Sequence, residues 1–426
     1  MAPMTNTPLK LVHASDLHLE QPAYGVAEVP DALRELYVES PYLAAEQVFE
    51  TVLAEDADML LLAGDVVDPN TAGARAMVFL TEQFDRLAAR DIQVYWVGGR
   101  VDPPRHVTEA LSLPENVHLF PAGRAGEILH HQGGQPIARV IGMSHRARSK
   151  VSVADFRPDP TGLFSIGLAY GDVDQAVLDA QRVNYLALGG RHARFMAGGA
   201  DHEAHYAGSP QGRCPQETGP HGCTVLRAEQ DGTTHVHFVT TDVMRWVSER
   251  IAVDESADRD ALEILLHERI VALQEGSPDL DLLISWITAG TGPLMGQLRA
   301  DRLRGELIAA LRRQYGTASP ATWTLSLTAE PTAVLPPEWY DQETILGDFL
   351  RFVRQYQIDR GLPIDLEPLL AERYLAGSVA SAVDIADNPT RQRILRQVAL
   401  LGLDLLSPES DTDQPTPKTG VQEASA

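Results

Sequence analysis

The chain has 426 residues and a formal net charge of −24, long enough for two or three domains with a substantial core and acidic enough to repel nucleic acid unless its basic residues gather on one surface. Two cysteines, Cys214 and Cys223, supply neither a disulfide framework nor the ligands of a structural zinc site, so they are read as free thiols in a reducing, cytoplasmic setting. Residues 1–8 hold no charged and apolar leader pattern, and no apolar run reaches the roughly eighteen residues of a spanning helix, so neither secretion nor membrane spanning is indicated.

The first apolar run leads into His13-Ala14-Ser15-Asp16-Leu17-His18. A buried strand that stops at Asp-x-His sets a carboxylate beside an imidazole at a sheet edge, a donor pair that suits a divalent cation. A helix is predicted over residues 42–54, then a strand running into Ala63-Gly64-Asp65-Val66-Val67-Asp68. Gly64 lets the backbone turn sharply, so that Asp65 can point into the same crevice and bridge two ions. A second helix over 73–89 and a strand over 92–97 lead to Gly99-Arg100-Val101-Asp102, and a strand over 164–169 ends at Tyr170. The next strand ends in Gly189-Gly190-Arg191-His192. Strands alternating with helices give the βα pattern of a layered α/β domain, closed by strands over 223–228 and 234–240.

A second unit begins near Trp246, with helices predicted over 260–273 and 298–315 between strands that end with 280–287 and 322–329. A Pro-containing linker over 331–337 precedes amphipathic helices over 342–357 and 389–405. Residues 407–426, rich in Ser, Pro, Thr, Asp and Gln, are expected to be disordered.

The segments around Asp16 and Asp65, the strand 185–189, and the loop Tyr206-Ala207-Gly208-Ser209-Pro210-Gln211-Gly212-Arg213 make the chain resemble the calcineurin-like metallophosphoesterases, within them the SbcD-like DNA-repair exonuclease subunits. The resemblance implies two sheets flanked by helices over 1–245, a small α+β capping domain over 246–332 and a helical C-terminal region over 333–406. It implies a metal-dependent phosphodiester hydrolase acting in DNA-end repair, a coiled-coil ATPase partner of the SbcC type that receives the C-terminal helices, and a homodimer; DNA is a further expected partner, and a membrane is not.

Measured against that family, Asp16, His18, Asp65 and His192 match the ligands of one metal. The other metal's remaining ligands fall at Arg100, Tyr170 and Gly190, and the general acid at Val101; Asp102 lies behind them. The expectation is one divalent cation, Mn²⁺ or Fe²⁺ from the donor set, and two-metal hydrolysis lost or strongly weakened, with a single-metal phosphoesterase or nuclease as the competing reading. Arg100 either pairs with Asp65, clamps a phosphate oxygen together with Arg191, or caps an emptied acidic pocket. His202 and His205 are the neighbouring candidates for a replacement acid, or else exposed loop histidines. Around this site lie Arg105, Arg194 and the stretch His145-Arg146-Ala147-Arg148-Ser149-Lys150, a candidate anion-facing patch or a solvated face.

Overall fold

The computed structural model describes residues 8–146, 150–152, 155–157, 161–173, 182–196, 203–229, 233–290, 292–299, 302–330, 337–359, 362 and 388–406. These divide by their contacts into two units: the described residues within Met1–Glu249, Leu266–Trp286 and Ile308–Leu327, and those within Arg250–Leu265, Ile287–Leu307 and Thr328–Ala426. The expected disordered tail, 407–426, lies outside the described residues, as do His202 and Arg148.

Two six-stranded sheets dominate the first unit. Strands Leu9–Ala14 (β1), Met59–Leu62 (β2), Gln93–Val97 (β3) and Val117–Phe120 (β4) run parallel, and Gly222–Ala228 (β11) and Thr234–Thr240 (β12) extend the other edge antiparallel, in the order β12-β11-β1-β2-β3-β4. The second sheet is built from Gly126–Gln132 (β5), Gln135–Met143 (β6), Phe164–Tyr170 (β7), Tyr185–Gly189 (β8), Phe195–Met196 (β9) and Glu203–Tyr206 (β10), ordered β5-β6-β7-β8-β10-β9.

The two-residue period of a strand explains the layering. Leu9, Leu11, Met59, Leu61, Tyr95 and Val97 face Ala138, Val140, Ile166, Leu168, Tyr185 and Ala187 of the other sheet. The intervening residues, Val12, Ala14, Leu60, Leu62, Val94 and Trp96, pack outward on the helices Asp31–Ala54 (α1) and Gly73–Ala88 (α2). Strands covered on both faces read as continuous apolar runs, which is why their ends are legible.

Helix α1 starts at Asp31, well before the expected 42, and runs through Pro41. A proline inside a helix forfeits one backbone hydrogen bond. Packing offsets that cost here, because Leu33 and Tyr37, one turn apart, are buried with Met244, Trp246, Leu283 and Ala321, the Tyr37 and Trp246 rings meeting edge-on at 5.9 Å.

Met244–Val253 (β13), Asp281–Gly290 (β14) and Thr322–Ala329 (β15) form a three-stranded sheet in that order. Helix Arg259–Gly276 (α4) separates the first two strands in sequence, and Pro293–Arg299 (α5) and Arg302–Tyr315 (α6) the last two; the short helix Pro104–Ala110 (α3) precedes β4. In the second unit, Pro337–Tyr340 (α7) precedes Ile345–Ile358 (α8) and Asn388–Leu406 (α9). Leu350 and Val353 of α8 are buried with Leu395, Ala399 and Leu400 of α9. Among the described residues no helix is long and apolar enough to cross a membrane.

Candidate metal centre

The chemistry-bearing residues collect just past the C-terminal ends of β1, β2, β3, β7 and β8, the edge at which open α/β sheets bind ligands. The loops after β1 and β2 are strapped together: the Asp16 N–H donates to the Gly64 carbonyl at 2.9 Å and the His18 N–H to the Asp65 carbonyl at 3.1 Å. Asp16, His18 and Asp65 have φ of 55°, 46° and 51°. Left-handed backbone at non-glycine residues costs on the order of 1–2 kcal/mol each, and its repetition at three neighbouring polar residues marks strain held in place by the surrounding fold.

Ligand atoms of Asp16, His18 and His192 lie within 4.8 Å of one another. Asp16 is buried; its Oδ2 accepts the Gly190 N–H at 2.9 Å, while its Oδ1 has no partner and faces His192 Nε2 at 3.9 Å. Burial raises the Asp16 carboxyl above its ordinary range. His18 Nδ1 is held by Glu20 at 3.2 Å, and its buried Nε2 is likewise unpartnered. His192 Nδ1 donates to Glu217 Oε1 at 2.6 Å. Each imidazole is thus fixed by a carboxylate on one nitrogen and presents the other inward, the arrangement by which outer carboxylates orient histidine ligands. Two unpartnered polar atoms in a buried, acidic cluster are what a divalent cation would satisfy, and one carboxylate with two imidazoles is a suitable donor set. The residues present therefore fit the cation.

Glu217 is anchored in turn. Burial alone would raise its carboxyl, but the His192 hydrogen bond, the Arg213 N–H at 2.7 Å and the Arg213 charge outweigh burial and hold it down at about 2. The Arg213 guanidinium, fully buried, donates to Gln21 Oε1 at 2.7 Å and lies against the His192 ring. Glu20 and Glu217 were not singled out from the sequence. Glu20 sits two residues beyond His18 and could have been read as part of one motif; Glu217 lies in a loop with no local signal.

Asp65 stands apart from this group. Its Oδ2 is 3.7 Å from His18 Nε2 and accepts the Tyr170 hydroxyl at 2.5 Å. Its Oδ1 accepts the backbone N–H groups of Arg100 at 2.6 Å and Val101 at 2.9 Å. Burial and then the Asp65 charge push the Tyr170 phenol up, so it stays protonated. Of the three alternatives for Arg100, pairing of its guanidinium with Asp65 is not seen among the described residues: the side chain is exposed, and its backbone N–H reaches the carboxylate. The phenol meets that charge instead.

Three glycines make room for the Tyr170 ring. A Cβ on Gly64 would come within 2.6 Å of Tyr170 Cδ2, one on Gly99 within 2.8 Å of the same atom and one on Gly190 within 3.1 Å of Cζ. Behind the ring, Asp102 is fully buried and accepts N–H groups from Asp65 at 2.9 Å, Val66 at 3.1 Å, Gly99 at 2.5 Å and the Trp96 indole at 3.0 Å. Burial and the Asp65 charge raise its carboxyl. Four donors with no acceptor among them favour the ionised form all the same.

Of the other expected groups, Arg191 lies with its guanidinium 4.6 Å from the Tyr206 ring centre and 3.5 Å from Asp172. Arg105 is paired with Glu109 at 2.8 Å, and Arg194 lies over the Phe238 ring. His205 is no exposed loop residue: it is buried in β10, edge-on to Tyr185 at 5.5 Å, and burial holds its imidazole down at about 4. His145, read only as part of a basic stretch, packs edge-on against Tyr170 at 5.3 Å.

The chain is 27% identical over 339 residues to the metallophosphoesterase YhaO of Bacillus subtilis (strain 168), spanning 76% of this chain and 82% of the relative. Solved structures similar to it include a dimetal phosphatase from Danio rerio, 12% identical with a TM-score of 0.34 over 55% of this chain and 99% of that one. Another is an archaeal phosphodiesterase, 12% identical with a TM-score of 0.30 over 54% of this chain and 100% of that one. Residues 9–143, which contain Asp16, His18 and Asp65, match the calcineurin-like phosphoesterases, and the chain accordingly carries a calcineurin-like metallophosphoesterase domain.

Proposed function

We propose that this chain is a divergent metallophosphoesterase of the SbcD-like branch that holds one divalent cation at Asp16, His18 and His192, with Asp65 beside them, and has lost efficient two-cation hydrolysis. The observation that supports the reading is the Tyr170 hydroxyl, which donates to Asp65 Oδ2 at 2.5 Å and so engages a carboxylate oxygen that a second cation would need. Mn²⁺ or Fe²⁺ suits the donors. When bound, the cation supplies Lewis-acid polarisation of a phosphoryl oxygen. The chain's own residues hold the site: Glu20 and Glu217 fix the two imidazoles, Asp102 fixes the loops after β2 and β3, and Val101 offers no proton to a leaving group.

Losing one ion and the general acid together lowers the rate by several orders of magnitude, the acid alone contributing about 10²–10⁴-fold. The remaining role is recognition of phosphodiester, at DNA ends and in company with a coiled-coil ATPase. Exposed Ile345, Phe352 and Ile358 of α8 and Leu401 of α9 support docking of these helices on such a partner. The competing reading, a slow single-cation phosphodiesterase, is favoured by the intact pairs His18–Glu20 and His192–Glu217. Hydrolysis of bis-p-nitrophenyl phosphate by manganese-loaded protein separates them. Turnover no higher than that of Asp16→Ala supports the first; turnover that Asp16→Ala abolishes establishes the second.

A further inference from the structure

Three polar side chains gather around Asp65 where the sequence offers no ligands for a second ion. Tyr170 donates to Asp65 Oδ2. His145 lies edge-on against the Tyr170 ring, with its backbone N–H tied to the Gly98 carbonyl at 2.7 Å, and its Nδ1 is buried without a partner. Arg100 follows Gly99 on the same loop with its side chain exposed to solvent, and its backbone N–H donates to Asp65 Oδ1 at 2.6 Å. Tyr170 on one oxygen of Asp65 and Arg100 rooted at the other make a pair of donors with different charge and reach, the inventory that binds tetrahedral oxyanions.

We propose that Tyr170 and Arg100, with His145 packed against the phenol, form an oxyanion pocket beside Asp65 that receives a phosphoryl oxygen in the place a second cation would occupy. The ligand class is a phosphodiester or phosphate monoester. The proposal rests on the single-cation reading above and adds what replaces the missing ion. Tyr170 has one hydroxyl hydrogen, now donated to Asp65 Oδ2; turning about the Cζ–O bond redirects it to a phosphoryl oxygen without moving the ring, which stays seated over Gly64, Gly99 and Gly190. Arg100 contributes the net positive charge that a phenol lacks, at the solvent side where an anion enters. His145 braces the phenol edge-on at 5.3 Å.

The test has two arms on the full-length protein. Manganese binding is measured by calorimetry, and binding of dimethyl phosphate to the manganese-loaded protein by paramagnetic broadening of its phosphorus resonance. Tyr170→Phe keeps the ring and removes the donor; Arg100→Ala removes an exposed charge; Arg34→Ala, an exposed arginine paired with Asp31, is the control. One manganese per chain in every variant, with dimethyl phosphate weakened on the order of 10-fold in Tyr170→Phe and Arg100→Ala and unchanged in Arg34→Ala, supports the pocket. Unchanged dimethyl phosphate affinity in both variants overturns the pocket and leaves the single-cation reading standing. Two manganese ions in Tyr170→Phe overturn the claim that the ring closes the second position. No manganese in the unmodified protein overturns the single-cation reading, and the pocket with it.

Discussion

At the scale of single residues, the site is organised by carboxylates that face away from it. Glu20 and Glu217 each hold the Nδ1 of a histidine whose Nε2 points inward. Replacing Glu217 by Gln keeps the shape and removes the charge that orients His192, and changes of this kind typically weaken metal binding by about 10–100-fold. Calorimetric manganese titration of Glu217→Gln checks this, and an unchanged affinity would show that His192 needs no such support. Asp102 has a different task, because its four donors come from the backbone of both site loops and from Trp96. Asp102→Asn turns an amide NH₂ or carbonyl toward donors that want a carboxylate. Loss of hydrogen bonds to a buried charged group costs about 1.5–3 kcal/mol each, so a fall of several kcal/mol in unfolding free energy is expected in urea titrations.

At the scale of elements, the parallel strands and their glycine turns do the placing. Gly190 has φ of 97°, and a Cβ there would press on the Tyr170 ring at 3.1 Å. Gly190→His alone is therefore expected to destabilise the protein by about 1–3 kcal/mol, seen as a lowered Tm, and to recover partly when Tyr170 is also made His. The space between the sheets carries a second prediction. His13 of β1 bonds the Tyr185 hydroxyl through Nδ1 at 2.8 Å, and His205 of β10 packs on the other side of that tyrosine. Burial first, and then the His205 charge for His13 and the Arg194 charge for His205, hold the two imidazoles at about 3 and about 4. Unfolded histidines titrate near 6.5, so below that pH the unfolded chain takes up protons that the folded chain refuses. Stability is complete above about 6.5 and is lost as pH falls toward 4, by up to about 2 kcal/mol for each histidine between pH 7 and 5. Denaturation midpoints measured across that range check the sign; a flat profile contradicts it.

Much of this arrangement could be read from the chain itself. Uninterrupted apolar runs buried on both faces announce the strands, and Asp16, His18 and His192 follow them directly. The hairpin of β5 and β6 and the true start of α1 were not legible, because α1 depends on Leu33 and Tyr37 meeting Trp246, a contact between distant segments. For the same reason Tyr170 could be named as an unexpected residue, while its bond to Asp65 could not be foreseen.

At the scale of the whole molecule, charge limits what the chain does alone. A net charge of −24 opposes DNA, and Arg105 and Arg191 near the site have acidic neighbours at Glu109 and Asp172. Nucleic-acid affinity depends on phosphate neutralisation, so the isolated chain is expected to bind duplex DNA weakly at physiological salt, with a Kd in the non-specific range of about 10⁻⁴–10⁻⁶ M. Fluorescence anisotropy with a labelled duplex at two salt concentrations reads this. Nanomolar binding would contradict it. The central claim, however, concerns the ions. The most direct measurement is the manganese content per chain, by native mass spectrometry after loading and removal of excess metal, for the unmodified protein and for Asp16→Ala. One ion in the first and none in the second is the result this account predicts; two ions, or one that survives Asp16→Ala, would contradict it.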